Sequence, residues 1–502
     1  MHGAPRLTIP GLPLSRRLRR LSFFSDIIDG TANVAHSIRA AGQDLIAPRL
    51  RLGVTGLSRS GKTVFTTALT QHLVRNTPLP AFRPAAEGRI RRVRLAPQPD
   101  DDVPRFPFEQ HLARITDERL WPSSTNRIAQ LRLDIDFERT AGWRAGPANL
   151  TLDIVDYPGE WLLDLALLDQ SFRDWSRETI AASRKAGRTE LAAVWHAALV
   201  ETDPSAPADE DRAAVLAETF REYLLKLRAE PEIVATTPPG RFLMPGDLAG
   251  SPALTFAPLD LPEDAEAKSG SLAALMERRY ESYKSRVVGP FFRDHFQRIE
   301  RQIVLVDVLA AVDAGPAALA ELESALDRVL LAFNAGRNSY FSRLFAPRAE
   351  RVLFAATKAD HIHHTSHDRL EKLLRLLVSR AVRRTEGAGA KVGSVAMASV
   401  RATRETTVQE GFTTLRAVAG TPEAGEEIDG EIFDGKVEAA IFPGELPEDP
   451  EAVFRGAVEP GSLRFPRFRP PLLREDAAGR PGALPHIRLD RALDFLIGDK
   501  LT

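Results

Sequence analysis

An α/β fold with a mainly parallel sheet is the architecture this 502-residue chain encodes. Short β-type runs recur as "LRLGVTG" at 50–56, "AQLRLDIDF" at 129–137, "LTLDIVDYPG" at 150–159, "QIVLVDVL" at 302–309, "RVLFAATKAD" at 351–360 and "KVGSVAMASV" at 391–400. Several are continuously apolar, as strands covered on both faces must be. Helical patterns separate most of them, the signature of crossover connections in a parallel sheet. A Gly-rich turn follows the first run and opens onto a helix-like stretch, "GVTGLSRSGKTVFTTAL" at 53–69.

Before the first strand, "SRRLRRLSFF" is a basic, solvated lead-in, with contact to anionic lipid or an acidic partner as its alternative. Residues 26–46 space their apolar positions by three and four, which predicts a helix beside that strand. Residues 76–127 carry no clear period and are expected to be irregular, whereas the runs at 129–137 and 150–159 are close enough for a direct antiparallel link. The strand series then breaks between 160 and 301, too long a gap for a connection and rich in helical pattern such as "SFRDWSRETIAASR" and "VLAETFREYLLKLRAE". Within it, residues 238–264 are dense in Pro and Gly and read as a structured loop or small docking surface. The tail is expected to hold a β-like "EIFDGKVEAAIF", an extended "PGSLRFPRFRPP" and a closing helix in "HIRLDRALDFLIGDKL". The expected division is therefore an N-terminal basic segment and helix at 1–48, a discontinuous P-loop domain at 49–160 and 301–410, a helical insertion at 161–300, and a C-terminal extension with β structure at 411–502 that packs on the P-loop domain.

Composition narrows the function. With 67 basic against 68 acidic residues and a net charge of −1, the chain lacks the basic footprint of a nucleic-acid binder. The absence of cysteine excludes disulfides, thiolate metal sites and Cys nucleophiles, and fits a reducing compartment. No run approaches the roughly 18–20 apolar residues of a membrane-spanning helix.

Gly56-Leu57-Ser58-Arg59-Ser60-Gly61-Lys62-Thr63 matches the phosphate-binding loop pattern and stands between a strand and a helix, where that chemistry requires it. Gly56, Ser58, Arg59, Ser60, Gly61, Lys62, Thr63 and Val64 are the expected nucleotide contacts. Glycines let backbone N–H groups curl around phosphates, Lys62 reaches the outer oxygens, and the Thr63 hydroxyl is offered to Mg²⁺. Asp156 ends a buried strand, where a carboxylate is costly without a cation nearby, so it is the second expected Mg²⁺ ligand. Gly159 completes a D-x-x-G tetrapeptide whose glycine N–H can sense a terminal phosphate. A third metal contact is sought ahead of the second strand, where "WPSSTNRIAQLRL" offers Thr125, with Ser123 and Ser124 as rivals and a helix cap or turn as the alternative. Thr357-Lys358-Ala359-Asp360 has the form of a guanine reader: Asp360 can accept from two guanine N–H groups that adenine lacks, and the Lys358 stem can cover the base. Ser399 and Val400 in "MASVRAT" are expected to add backbone contacts.

The chain resembles the YcjX family, bacterial P-loop proteins associated with stress and often encoded near a partner membrane protein. The resemblance is carried by "VTGLSRSGKT", "RFLMPGDLAGSPALTF", "VVGPFFRDHFQRIERQIVLVDVL", "FAATKADHIHH", "MASVRAT" and "HIRLDRALDFLIGDK", which span nearly the whole chain. It implies a Ras-like G domain, a P-loop NTPase fold with extra helical and C-terminal elements, and it implies nucleotide binding. The expected activity is Mg²⁺-dependent GTP binding with slow hydrolysis to GDP, a conformational switch in a bacterial stress response. The alternatives are an ATPase of the same fold and a nucleotide-stabilised scaffold. In Ras-like proteins a Gln that positions water follows D-x-x-G; here the residue is Glu160, whose charge would repel the terminal phosphate unless protonated or paired. Arg59 could compensate in cis, or point to solvent; Lys62, Glu160 and Arg59 are thus the candidate catalytic groups. The expected setting is the cytoplasm, with peripheral attachment to the inner membrane through a membrane-associated protein partner as the variant. His361, His363, His364 and His367 follow Asp360; polar loop contacts to the helical region or a pH-sensitive dock are expected, with a transition metal on these imidazoles, His363 and His367 having i, i+4 spacing, as the alternative.

Overall fold

Six of the strands arise where apolar runs demand them, and a seventh arises where charge conceals it. The computed structural model describes residues 48–502 except 58, 99, 124–126, 141–144, 231–236, 246–247, 263–266, 295–297, 332–348, 388, 429, 460 and 475–481. The expected helix at 26–46 and the basic lead-in lie outside the described residues, as do Ser58, Ser124 and Thr125.

The strands are β1 (Arg49–Gly56), β2 (Ile90–Ala96), β3 (Ala129–Arg139), β4 (Gly146–Asp156), β5 (Arg301–Val306), β6 (Arg351–Ala356) and β7 (Lys391–Ala396). They form one mixed sheet in the order β2-β3-β4-β1-β5-β6-β7. The pairs β1–β5, β5–β6 and β6–β7 are parallel, while β2–β3 and β3–β4 are antiparallel. Successive residues face opposite sides of a strand. Ile303 and Leu305 therefore enter one core with Leu52, Val54, Phe65 and Leu353, whereas Val304 and Val306 enter the other with Phe354, Leu322 and Leu374.

The first core is closed by α1 (Lys62–Val74) and by the C-terminal helix, residues Leu489–Ile497, whose Leu489, Leu493 and Leu496 reach the sheet. The second receives the helices of residues 161–300: α2 (Phe172–Ser183), α3 (Ala193–Val200), α4 (Glu210–Ala229) and α5 (Leu272–Tyr283). The starts of α2, α4 and α5 are capped by side chains that accept orphan N–H groups: Ser171 from Asp174, Asp209 from Asp211 and Arg212, Ser271 from Ala274. Inside, Trp175 stacks on Tyr280 at 5.0 Å and Trp195 on Tyr223 at 5.4 Å.

Two stretches depart from expectation. Residues 76–127, expected to be irregular, contain β2 and a helix at Phe108–Thr116. β2 is the sheet edge, and Arg91 and Arg94 pair with Glu138 and Asp136 on β3, so charge stands where an apolar alternation was sought. The second is a hairpin of β8 (Arg404–Glu410) and β9 (Thr413–Gly420), joined by Ala439–Ile441. Its outer half is polar and exposed, and only its inner end, Ala417 to Gly420, is buried.

Candidate nucleotide site

The parallel register lines up the strand ends that carry the motifs. Gly56 is opposite Leu305, Leu305 opposite Ala355, and Ala355 opposite Val395. The loops after β1, β5, β6 and β7 therefore leave one edge of the sheet, where open α/β folds place their ligands.

After β1 the chain turns sharply. Arg59 (φ 61°) and Gly61 (φ 87°) are both left-handed, and Gly61 opens α1. Such a turn points successive N–H groups into a concavity suited to an anion. The cost of left-handed φ at a residue with a Cβ is borne by Arg59, whose side chain is exposed. Buried Ser60 donates its hydroxyl to the Leu57 carbonyl at 2.7 Å, tying the turn closed. Lys62 Nζ lies over the same turn, donating to the carbonyls of Gly56 at 2.7 Å and Leu57 at 3.2 Å. Thr63 is buried, and Val64 packs partly against the first core. A Cβ at Gly56 would stand 2.3 Å from the Leu305 carbonyl and 2.4 Å from Ser60 Oγ, so this position requires glycine.

Asp156 ends β4, beside β1, with its residue 1% exposed. Three residues on, the Gly159 backbone lies against the start of the turn after β1: a Cβ there would be 1.9 Å from the Gly56 carbonyl oxygen. Gly56 O thus meets both Lys62 Nζ and Gly159, and the two sequence motifs share one atom's surroundings. Glu160 begins a short helix to Leu163 and is buried, its carboxylate 3.5 Å from the Arg228 guanidinium on α4.

The segment that follows Glu160 is held by residues 239–243. Asp164 accepts from the N–H groups of Gly240 at 2.5 Å and Arg241 at 3.4 Å, and from the Tyr283 hydroxyl at 2.6 Å. Burial pushes its carboxyl up to about 6 despite those donors. The Arg241 guanidinium stands 3.2 Å over the Trp161 ring, a cation–π contact. A Cβ at Gly240 would be 2.2 Å from the Glu160 carbonyl oxygen, so two backbones touch here as well. The Pro- and Gly-rich stretch therefore places its first turn against the segment that follows D-x-x-G.

At the other end of the edge, Thr357 donates its hydroxyl to the Val306 carbonyl at 3.3 Å. Lys358 adopts φ 58°, and its ammonium pairs with Asp307, the residue after β5. Asp360 is buried; its carboxylate accepts from the Ala402 N–H at 2.8 Å, and its carbonyl accepts from the Thr403 hydroxyl. Ala359 N–H donates to the Met397 carbonyl at 3.1 Å, so the loop at 397–403, with buried Ser399 and Val400, docks directly on the Thr357–Asp360 turn. The expected base-reading residues are thus contiguous in space.

His361 and His367 part from the other two, while the His363 and His364 rings stay 4.2 Å apart between centroids. His361, half-buried, meets Phe468 edge-on at 5.5 Å between ring centroids, and desolvation lowers its pKa. His367 Nε2 contacts the Ala359 carbonyl at 2.8 Å. His363 and His367 do not share a helical face, because the helix His367–Leu377 begins only at the latter and His364–Ser366 is a tighter turn.

Three contributors were not anticipated from sequence: Asp307, Arg228 and Asp164. Asp307 is the single charge of an apolar run and Arg228 one of many charges on a helix, 51 residues from Lys358 and 68 from Glu160, so no local period marks them. Asp164 had a weak signal, an acid inside the apolar stretch "WLLDLALL".

The profile of the YcjX-like family, DUF463, matches residues 50–501. Over 466 residues the chain is 36% identical to the protein named Ras-like GTPase YcjX from Escherichia coli, covering 90% of this chain and 96% of that one. Over 499 residues it is 34% identical to the protein of the same name from Shewanella oneidensis, covering 93% and 98%. On this match, which spans the sheet, the helical region and the C-terminal helix together, the chain belongs to the YcjX-like family.

Proposed function

We propose that this chain binds GTP and GDP with Mg²⁺ on the sheet edge described above, hydrolyses GTP slowly, and uses the change to reset the helical region at 161–300. The contact between Gly159 and Gly56 carries the reading: it puts the phosphate-sensing glycine against the loop that would hold the phosphates. The left-handed turn at Arg59 and Gly61 provides N–H groups for phosphate, with Lys62 beside it; Gly56, Ser58, Ser60 and Val64 complete the loop. Thr63 and Asp156, joined by Thr125, are the residues that would hold Mg²⁺, and the buried Asp156 carboxylate is chemically suited to that hard ion. Bound Mg²⁺ supplies positive charge to the phosphate oxygens. Asp360 reads the guanine edge, Lys358 and Thr357 shape its loop, and Ser399 and Val400 line the far side.

Glu160 positions water only after leaving Arg228, and this exchange is why turnover is slow in the reading. Arg59, exposed on the phosphate loop, is the cis cation. The family resemblance supports a cytoplasmic stress-response role with a protein partner, peripheral to the inner membrane when that partner is membrane-bound. Within this reading 49–160 and 301–410 form the nucleotide domain and 411–502 its extension.

Calorimetric titration of purified protein with GDP and ADP in the presence of Mg²⁺ tests it. GDP should bind at least roughly a hundredfold tighter than ADP, and Asp360→Asn should erase most of that ratio. Equal GDP and ADP affinity in the parent would refute the guanine assignment.

A further inference from the structure

We infer that His363, His364 and Glu405 form a binding site for one divalent transition-metal ion of borderline softness, Zn²⁺ being the model ion, distinct from the Mg²⁺ position. Their ligand atoms lie within 4.8 Å of one another. His364 Nδ1 is 2.9 Å and His363 Nε2 3.9 Å from the Glu405 carboxylate, and the two imidazoles stand 4.2 Å apart between centroids. Two imidazoles and a carboxylate are the donor set that tetrahedral Zn²⁺ takes when one position is left to water. Exposure matches that role: His363 is 16% exposed, Glu405 33% and His364 61%, leaving the outer side open to solvent.

The neighbouring groups orient the ligands. His363 Nδ1 is 3.0 Å from Thr365 Oγ1. Nδ1 also accepts from the Thr365 N–H at 3.4 Å, so both contacts hold the ring with Nε2 on the Glu405 side. Facing the cluster are the cations Arg401, 3.9 Å from Glu405, and Arg416, whose field reaches His363. They hold the affinity below that of a buried structural zinc site.

Location gives the ion a consequence. His363 lies three residues after Asp360, and Glu405 two residues after Thr403, which donates to the Asp360 carbonyl. An ion held by both sides would cross-link the Thr357–Asp360 turn to the 397–403 loop, adding to the three hydrogen bonds that already join them through Met397, Ala402 and Thr403. If those loops read guanine, as proposed above, metal loading should slow GDP dissociation.

The test uses the tag-free full-length chain, stripped with chelator and kept in excess Mg²⁺ to fill hard-oxygen positions. Titration with Zn²⁺ should show one saturable ion per chain. His364→Ala and Glu405→Gln should each weaken uptake by roughly tenfold or more. On the unmodified protein, Co²⁺ should give the visible bands of a four-coordinate, nitrogen-ligated ion. Absence of saturable uptake, or uptake unaltered in both variants, overturns the site. Zinc uptake with an unchanged GDP off-rate overturns the cross-link and leaves the site. Zinc uptake by a protein that binds no guanine nucleotide refutes the nucleotide reading alone.

Discussion

Asp164→Asn should make the protein more sensitive to acid, and the size of the effect follows from where the carboxyl sits. Asp164 is fully enclosed between the short helix at Glu160–Leu163, the Gly240 turn and Tyr283, and burial raises its pKa from the ordinary 3.8 to about 6. An acid raised in the fold binds its proton before the unfolded chain does, so between about pH 6 and pH 4 the native state holds more protons and gains stability as pH falls. At about 1.4 kcal/mol per tenfold, the gain from pH 7 to pH 5 is about 1.4 kcal/mol and approaches roughly 3 kcal/mol below pH 4. His72 acts in the opposite sense. Buried in α1, 4.9 Å from the His486 ring, it is lowered from 6.5 to about 4 by burial first and then by that neighbour. The unfolded chain takes up this proton from pH 6.5 downward and the fold does not, which costs roughly 2 kcal/mol by pH 5. In the parent the gain at Asp164 offsets part of the loss at His72 and at the other histidines lowered by burial, His361, His367 and His486, and removing the acid removes that offset. Urea denaturation followed by circular dichroism, run at intervals from pH 7.5 to 4.5, measures both curves. The variant should lose about 1.4 kcal/mol more than the parent between pH 7 and pH 5. Parallel curves would show that the Asp164 carboxyl is not buried as described, and with it would go the clamp on the segment after D-x-x-G.

Two further predictions concern the same region. Gly159→Ala should cost roughly 2–3 kcal/mol in the same unfolding experiment, because a Cβ 1.9 Å from the Gly56 carbonyl must push the two loops apart; a change under about 0.5 kcal/mol would mean that the approach is not enforced. Glu160→Gln and Arg228→Met should each destabilise the fold, and in the double variant the effects should fall short of their sum by roughly 1–2 kcal/mol, since the pair is nearly buried on the carboxylate side and 3.5 Å apart; strict additivity in the double-mutant cycle would remove Arg228 as the partner of Glu160.

The legible part of this protein is the part in which local pattern and tertiary role coincide. β1, β5 and β6 are buried on both faces, so their sequences are apolar whichever neighbour is considered, and "GLSRSGKT" combines turn, strand end and helix start in eight residues. β2 was illegible because its partner supplies the countercharge: Arg91 and Arg94 look like loop residues until Glu138 and Asp136 stand opposite. The outer hairpin was hidden for a similar reason, with "RETTVQEGFTTLR" exposed on both sides of a tip at Phe412. The histidines misled in a different way. Counting i to i+4 assumes a helix, and the segment between His363 and His367 is a tighter turn, so the carboxylate that His363 faces is Glu405 on β8 and its neighbouring imidazole is His364, not His367.

Connectivity ties the helical region to the sheet edge that carries the sequence motifs. The chain leaves the sheet at Asp156 on β4 and re-enters at Arg301 on β5, and β1 with the Gly-rich turn that follows it lies between those two strands. Residues 161–300 are therefore strung between the two neighbours of the loop. Their first turn is fastened back by Asp164 to Gly240 and Tyr283, and by Glu160 to Arg228, so the fasteners come from helix α4, the turn before Arg241 and the end of α5. A shift of Gly159 relative to Gly56 would strain these contacts together, because Glu160 is its covalent neighbour and touches Gly240 through its own carbonyl. A flexible surface loop could absorb such a shift. The segment from Glu160 to Leu163 cannot, since all four of its residues are buried and the chain on either side is already held.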